Sequence, residues 1–233
     1  MNNKTKGFTL AEVLITLGII VVVAALTIPT LIANTNANKF RSQFKKTVST
    51  ISNAARMSQA QYGFDFAAEF PLFTSKEANA TPEEETSPFA LFNGTLSGYT
   101  FIDNNDAISN YRNNMRIMVN EVADDNYVYQ LSDGSLFTFT PGLYHECHME
   151  PGEQGKDMSG CYGVIDVNGY SLPNKEVTCS DGTDTMFVWD ENYQDCVVKN
   201  DANHMTDIYP VFYHDSIVEP ATNAAKYVLN TAK

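Results

Sequence analysis

Apolar and polar positions along the chain change period twice, dividing it into three parts. From Phe8 to Ile28, 21 residues, Glu12 is the only charged side chain. At about 1.5 Å per helical residue this run spans roughly 31 Å, enough for the hydrocarbon core of a bilayer. After Pro29 the pattern becomes that of an amphipathic helix. Phe40, Phe44, Val48, Ile51 and Ala55 recur at three- and four-residue steps, with Tyr62 seven residues further on. These positions make one apolar stripe, and Lys39, Arg41, Lys45, Lys46 and Arg56 fall on the other faces. The pattern predicts a single long helix, apolar all round over 8–33 and amphipathic over 34–64. A kink is expected near Pro29, which lacks the N–H that an interior turn requires. A helix with one apolar stripe must cover something, most simply a sheet of the same chain.

The third part, 65–233, has no helical period of that length. Pro71, Pro82, Pro88, Gly94 and Gly98, together with Glu83-Glu84-Glu85, make 70–100 read as a long irregular connection. Residues 106–122 fit either a short helix or a strand. Tyr127–Leu131 and Ser135–Thr140 then flank Asp133-Gly134, a strong hairpin signal. Cys161–Val167 and Thr185–Trp189 read as two further strands, and Tyr209–His214 as a final one. The expected fold is α+β: a long N-terminal helix packed on an antiparallel meander of about four strands, in a head spanning 65–233.

The residues before the apolar run bear on its handling. Met1–Gly7 holds Lys4 and Lys6 and no acid, which keeps this end in the cytoplasm and exports 65–233. A carboxylate within the hydrocarbon region is unfavourable unless it meets a partner, so Glu12 implies one. An ordinary secretory signal is cut after its apolar core, whereas here the small residue, Gly7, precedes it. A cut after Gly7 removes the basic leader, 1–7, but keeps the helix and leaves a new amine on Phe8. In a neighbour staggered by a few residues that amine lies near the depth of Glu12, and each charge relieves the desolvation of the other. The pattern predicts a protein built to polymerise. A plain anchor would account for the lysines and the apolar run but not for Glu12. A cleaved secretory signal with a cut after Thr35-Asn36-Ala37 is opposed by the acid inside the core.

Gly7-Phe8-Thr9-Leu10-x-Glu12 after a lysine-containing leader resembles the N-terminal signal of type IV pilins and type II secretion pseudopilins. The likeness covers about the first 60 residues. It implies a pilin-like fold, cleavage after Gly7 by a prepilin peptidase, methylation of the Phe8 amine, use of Glu12 in assembly, and a bend or local unwinding at Pro29. The implied partners are that peptidase, the inner-membrane assembly platform with its ATPase, and other pilin or pseudopilin subunits. The implied location is the bacterial inner membrane, single-pass with the head exported, and then a periplasmic or cell-surface filament.

Charge divides where the period does. Residues 1–64 carry seven Lys/Arg and one acid, net +6, and 65–233 carry eight Lys/Arg and 27 acids, net −19, which sum to the chain's −13. An acidic head repels a phosphate backbone, which argues against nucleic-acid binding there. Cys147, Cys161, Cys179 and Cys196 all lie on the exported side, where an even count favours disulfides. Of the three connectivities, the sequential pairs Cys147–Cys161 and Cys179–Cys196 are preferred. The spacings contain no Cys-x-x-Cys, and His145-Glu146-Cys147-His148 has no matching second half for a zinc site.

One stretch of the head is a candidate for ion binding. Asp166-Val167-Asn168-Gly169, then Pro173-Asn174 and later Gly182, Asp184 and Phe187, is similar to a motif of many prepilin-type proteins, with an insertion around Cys179. Some pseudopilins bind calcium through a loop near the end of the head, and oxygens of Asp166, Asn168 and Asp184 suit that ion. An EF-hand is excluded, because Gly169 comes two residues too early and Val177 stands where the closing Glu should be. The favoured reading is a tight Asn-Gly turn whose Asp accepts backbone N–H bonds; no cofactor is expected. Gly-x-Ser-x-Gly, Walker, His-Glu-x-x-His and dinucleotide motifs are all missing, so no catalytic residues are assigned and no enzyme is expected. Asn79-Ala80-Thr81 and Asn93-Gly94-Thr95 match only the short glycosylation pattern. The resemblance implies a structural filament subunit. The alternatives are a minor pilin or anchored adhesin with a ligand-binding acidic head, and then an anchored exported enzyme.

Overall fold

A computed structural model of the chain describes residues 7–68, 80–102, 127–139, 147–148, 161–180, 196–199 and 204–231. The long helix forms as α1 (Leu10–Tyr62), 53 residues. It ends at Gly63, whose φ of 85° lets its N–H turn back to the carbonyls of Ser58 and Gln59. Among the described residues six strands follow: β1 (Tyr99–Ile102), β2 (Tyr127–Leu131), β3 (Leu136–Phe139), β4 (Tyr162–Asp166), β5 (Ile208–His214) and β6 (Ile217–Pro220). They form one antiparallel sheet in sequence order, so that every strand pairs with its chain neighbours. Among the described residues the head also holds two short helices, α2 (Pro88–Thr95) and α3 (Asn223–Asn230).

The amphipathic half of α1 lies across the sheet. Phe40, Phe44, Val48, Ile51 and Ala55 are buried there against Tyr129, Phe137, Ile165, Val211 and Tyr213, while Tyr62 is half-buried. Phe44 stacks on Tyr209 at 4.2 Å between ring centroids. Phe89 and Phe92 of α2 extend the aromatic core, with Phe92 4.9 Å from Tyr129 and 6.2 Å from Phe66. Burying each such side chain fully contributes about 1.5–3 kcal/mol, which is what holds the helix to the sheet. Polar ties set its register: Arg41 donates to the Val198 carbonyl at 3.2 Å, Lys45 to that of Thr231 at 2.6 Å, and Ser52 Oγ accepts from Val218 N at 3.0 Å.

The hairpin at Asp133-Gly134 closes through a three-residue loop. Gly134 has φ 86° and donates to the Leu131 carbonyl at 2.9 Å. Asp133 accepts from Ser135 N and Oγ at 3.2 and 2.6 Å, and pairs with Lys46 at 2.8 Å. Both disulfides form in sequence order, Cys147–Cys161 and Cys179–Cys196.

Two expectations are corrected. The stretch 70–100 is not irregular throughout. Ser87 caps α2 by accepting from Ala90 N at 3.0 Å, and Pro88 takes the first helical position, where a missing N–H costs nothing. Strand β1 begins at Tyr99. The sheet has six described strands instead of about four, because two four-residue edge strands, β1 and β6, were not recognised. The strand expected at 185–189 and the undecided stretch 106–122 lie outside the described residues. The arrangement is α+β and pilin-like.

Candidate processing and assembly site

Gly7 and Phe8 precede α1 in non-helical backbone, and Thr9 is its N-cap, with φ −80° and ψ 152°. The Glu12 carboxylate reaches back to Thr9, accepting from its N–H at 2.7 Å and from its hydroxyl at 2.8 Å. Thr9 Oγ1 in turn accepts from Glu12 N at 3.3 Å, which completes a capping box. Two donors that the helix start leaves without partners are thereby satisfied. In the single subunit Glu12 is therefore committed to its own helix end. A cut after Gly7 leaves the Thr9 amide untouched, so the box survives it.

Phe8 is 89% exposed, and residues 8–32 stand outside the head almost wholly uncovered. An apolar surface of that length needs lipid or other apolar helices around it. A Cβ built at Gly7 would meet nothing within 4 Å, so packing within the chain does not require glycine at that position. Pro29 lies inside α1, and the helix continues through it without unwinding. The lost backbone bond is accompanied by local threonine bonds, Thr27 Oγ1 to Val23 O and Thr30 Oγ1 to Thr27 O, both 2.9 Å. Thr35 to Ala37 is helical as well, and Ala37 is buried under the head.

In the head, Asp166 and Asn168 meet as a turn. Asp166 Oδ1 accepts from Asn168 N at 2.9 Å, and the Asn168 amide donates to the Leu172 carbonyl at 2.8 Å. Asp207, which lies just before β5 and was not singled out by its sequence context, is the second carboxylate here. It is fully buried and accepts from Asn174 N at 3.0 Å and Lys175 N at 2.7 Å. Burial pushes its carboxyl pKa up, against those N–H bonds. Asn168 thus turns a donor inward, and both Asp207 oxygens are occupied by backbone. Among the described residues no three His, Cys, Asp or Glu side chains converge as metal ligands. Asp184, His145 and Glu146 lie outside the described residues.

A second polar cluster, unforeseen in the sequence, sits at the far end of the sheet. The Asp215 carboxylate is held between two imidazoles, His214 Nδ1 at 2.7 Å and His148 Nδ1 at 2.5 Å. Glu219 faces His214 Nε2 at 3.8 Å, too long for a hydrogen bond but close for a charge. Burial alone lowers the His214 pKa, yet the Glu219 and Asp215 carboxylates more than reverse it, and the net shift is upward. A raised histidine stabilises the fold fully below its unfolded pKa of about 6.5 and loses that contribution as pH climbs through the folded value. The Glu219 pKa is lowered, chiefly by His214, so its share is lost as pH falls through its own folded pKa. His214→Gln should therefore destabilise most between about pH 4.5 and 6.5 and progressively less at higher pH. Urea unfolding of both proteins from pH 4 to 9 checks this, and a pH-independent difference refutes it.

Residues 2–28 match the family model described as the prokaryotic N-terminal methylation motif, the prepilin-type signature. That match takes in Gly7, Phe8, Thr9 and Glu12 and leaves the head uncovered. No curated protein and no solved structure matches the chain.

Proposed function

We propose that this chain, which carries at residues 2–28 the prepilin-type signature of type IV pilins and pseudopilins, is a structural subunit of a type IV pilus or type II secretion pseudopilus. It is cut after Gly7 and assembled through α1. The observation that carries this reading is the motif in its structural setting. The matched segment ends in a helix whose apolar half is uncovered and whose first turn holds the single acid of the run. Since the fold does not need glycine at position 7, its presence there is understood as a requirement of the peptidase. The signature points to a family of structural subunits and not to an enzyme.

In the proposed sequence of events the subunit is held in the inner membrane by residues 8–32 with its head exported. Prepilin peptidase removes the basic leader, and the assembly platform with its ATPase moves subunits into a filament. There the exposed apolar halves of α1 exchange lipid for each other, and each Glu12 exchanges Thr9 for the Phe8 amine of a neighbour. That exchange is an ion pair in a low-dielectric setting replacing a charge-assisted cap.

Intact-mass analysis of membrane-extracted protein should show loss of Met1–Gly7, with or without one added methyl group. A mature start near Asn38 would instead indicate an ordinary secretory signal and remove the filament argument.

A further inference from the structure

The single acid of the apolar run is already provided for within its own chain. Thr9 gives the Glu12 carboxylate two donors, its backbone N–H at 2.7 Å and its hydroxyl at 2.8 Å. Both end on the same oxygen, Oε2, so a Glu12 that turns this oxygen to a neighbour gives up both bonds together. Among the described residues Oε1 has no partner. The Thr9 hydroxyl is engaged at both ends, since its oxygen also accepts from Glu12 N at 3.3 Å. A hydrogen bond to a charged group shifts an equilibrium by about tenfold or more, so the hydroxyl is a real competitor for the carboxylate.

What can compete with Thr9 changes when the leader is cut. In the uncut chain the Phe8 nitrogen is part of the Gly7–Phe8 peptide and carries no charge. The leader's cations, Lys4 and Lys6, belong on the cytoplasmic, aqueous side. An uncut neighbour therefore offers Glu12 no cation at the depth of the helix start. Hydrolysis of the Gly7–Phe8 bond leaves a carboxylate on Gly7, which departs with the leader, and an ammonium with three donors on exposed Phe8. Three donors draw on both carboxylate oxygens, so this ammonium competes directly with the two bonds that Oε2 makes to Thr9. Neither the Thr9 amide nor its hydroxyl belongs to the broken bond, so the contact persists after the cut and must be displaced by the neighbour.

We propose that Thr9 is a latch on assembly. Its hydroxyl holds Glu12 to the subunit's own helix start, keeps uncut subunits from pairing in the membrane, and sets the density at which cut subunits join. The inference rests on the filament reading and adds to it the control of the Glu12 exchange.

The test uses the full chain in phosphatidylcholine vesicles, uncut and after treatment with prepilin peptidase, with self-association followed by energy transfer between labelled copies. Thr9→Val keeps the shape and the backbone N–H of residue 9 and removes the hydroxyl. The cut Thr9→Val chain should associate at a subunit density about tenfold lower than cut wild type, and Thr9→Ser, which keeps the hydroxyl, should match wild type. Uncut wild type should stay apart at densities where the cut chain associates. Combined with Glu12→Gln, Thr9→Val should bring no gain, because the latch acts on the carboxylate. Equal densities for cut wild type and cut Thr9→Val overturn this proposal alone, since the amine would then be received on Oε1 with the cap intact. A higher density for Thr9→Val overturns it as well, and so does a gain that survives Glu12→Gln. Cut and uncut wild type associating alike would defeat the ion-pair reading of assembly together with the latch.

Discussion

Glu12→Ala is expected to leave the subunit inserted and its head folded, yet to lower filament yield by at least about tenfold. The head does not touch residue 12, which lies 25 positions before Ala37, the first buried residue of α1. Alanine removes the carboxylate that a neighbour's Phe8 amine would meet, and also the capping box with Thr9. The two losses are separated by Glu12→Gln. Its amide oxygen still accepts from Thr9 N, so the helix start is retained, but it carries no charge for the amine. If assembly depends on the ion pair, both variants lose filaments to a similar degree. If it depends only on the helix start, Gln assembles like wild type and Ala does not. The measurement is sheared-filament yield against membrane-retained subunit at matched expression. Wild-type yield from both variants would show that Glu12 is no assembly determinant, and a plain anchor would be the better account of residues 8–32.

Sequence signals that act over a few residues were readable, and those that act across the fold were not. The apolar run, the stripe from Phe40 to Ala55 and the Asp133-Gly134 hairpin each depend on neighbours three or four positions away, and each appears as expected. Helix α2 is hidden in the sequence because Pro88 reads as a breaker, although behind Ser87 it marks a helix start. Strands β1 and β6 are edges of four residues, and β6 contains Glu219 and ends at Pro220, so neither offers an alternating pattern long enough to recognise. The charge clusters were beyond reach in principle. His148 and Asp215 are 67 residues apart, and Arg41 and Val198 are 157 apart, so only the folded sheet brings them together. At the N-terminus the motif named Glu12 but not its partner in the single subunit, Thr9.

Loss of the Cys147–Cys161 bridge should have the largest effect on the head. Closing a loop of 14 residues is worth about 3 kcal/mol in the chain-entropy model, and the Cys179–Cys196 loop of 17 is worth a similar amount. For a domain of this size that corresponds to roughly 6–12 °C in Tm for each bridge. Position makes them unequal. Cys147 and Cys161 are 1% and 0% exposed, whereas Cys179 is 5% exposed and Cys196 only half-buried. Around the first bridge, Cys147 N donates to Phe66 O at 3.2 Å, Asp215 N to Cys147 O at 2.7 Å, and Tyr213 N to Cys161 O at 2.9 Å. It therefore ties the exit of α1 to the β5–β6 turn through two fully buried cysteines. The second bridge joins only the segments 171–180 and 196–199. Cys147→Ala/Cys161→Ala should lower Tm by more than the loop term alone, since it also opens a cavity among buried side chains. Cys179→Ala/Cys196→Ala should lower it by about the loop term and speed exchange chiefly in 171–180 and 196–199. Calorimetry of the two variants, with non-reducing peptide mapping of wild type, tests both statements. Free thiols in the exported protein, or equal Tm losses from the two pairs, would refute the assignment of the first bridge to the core.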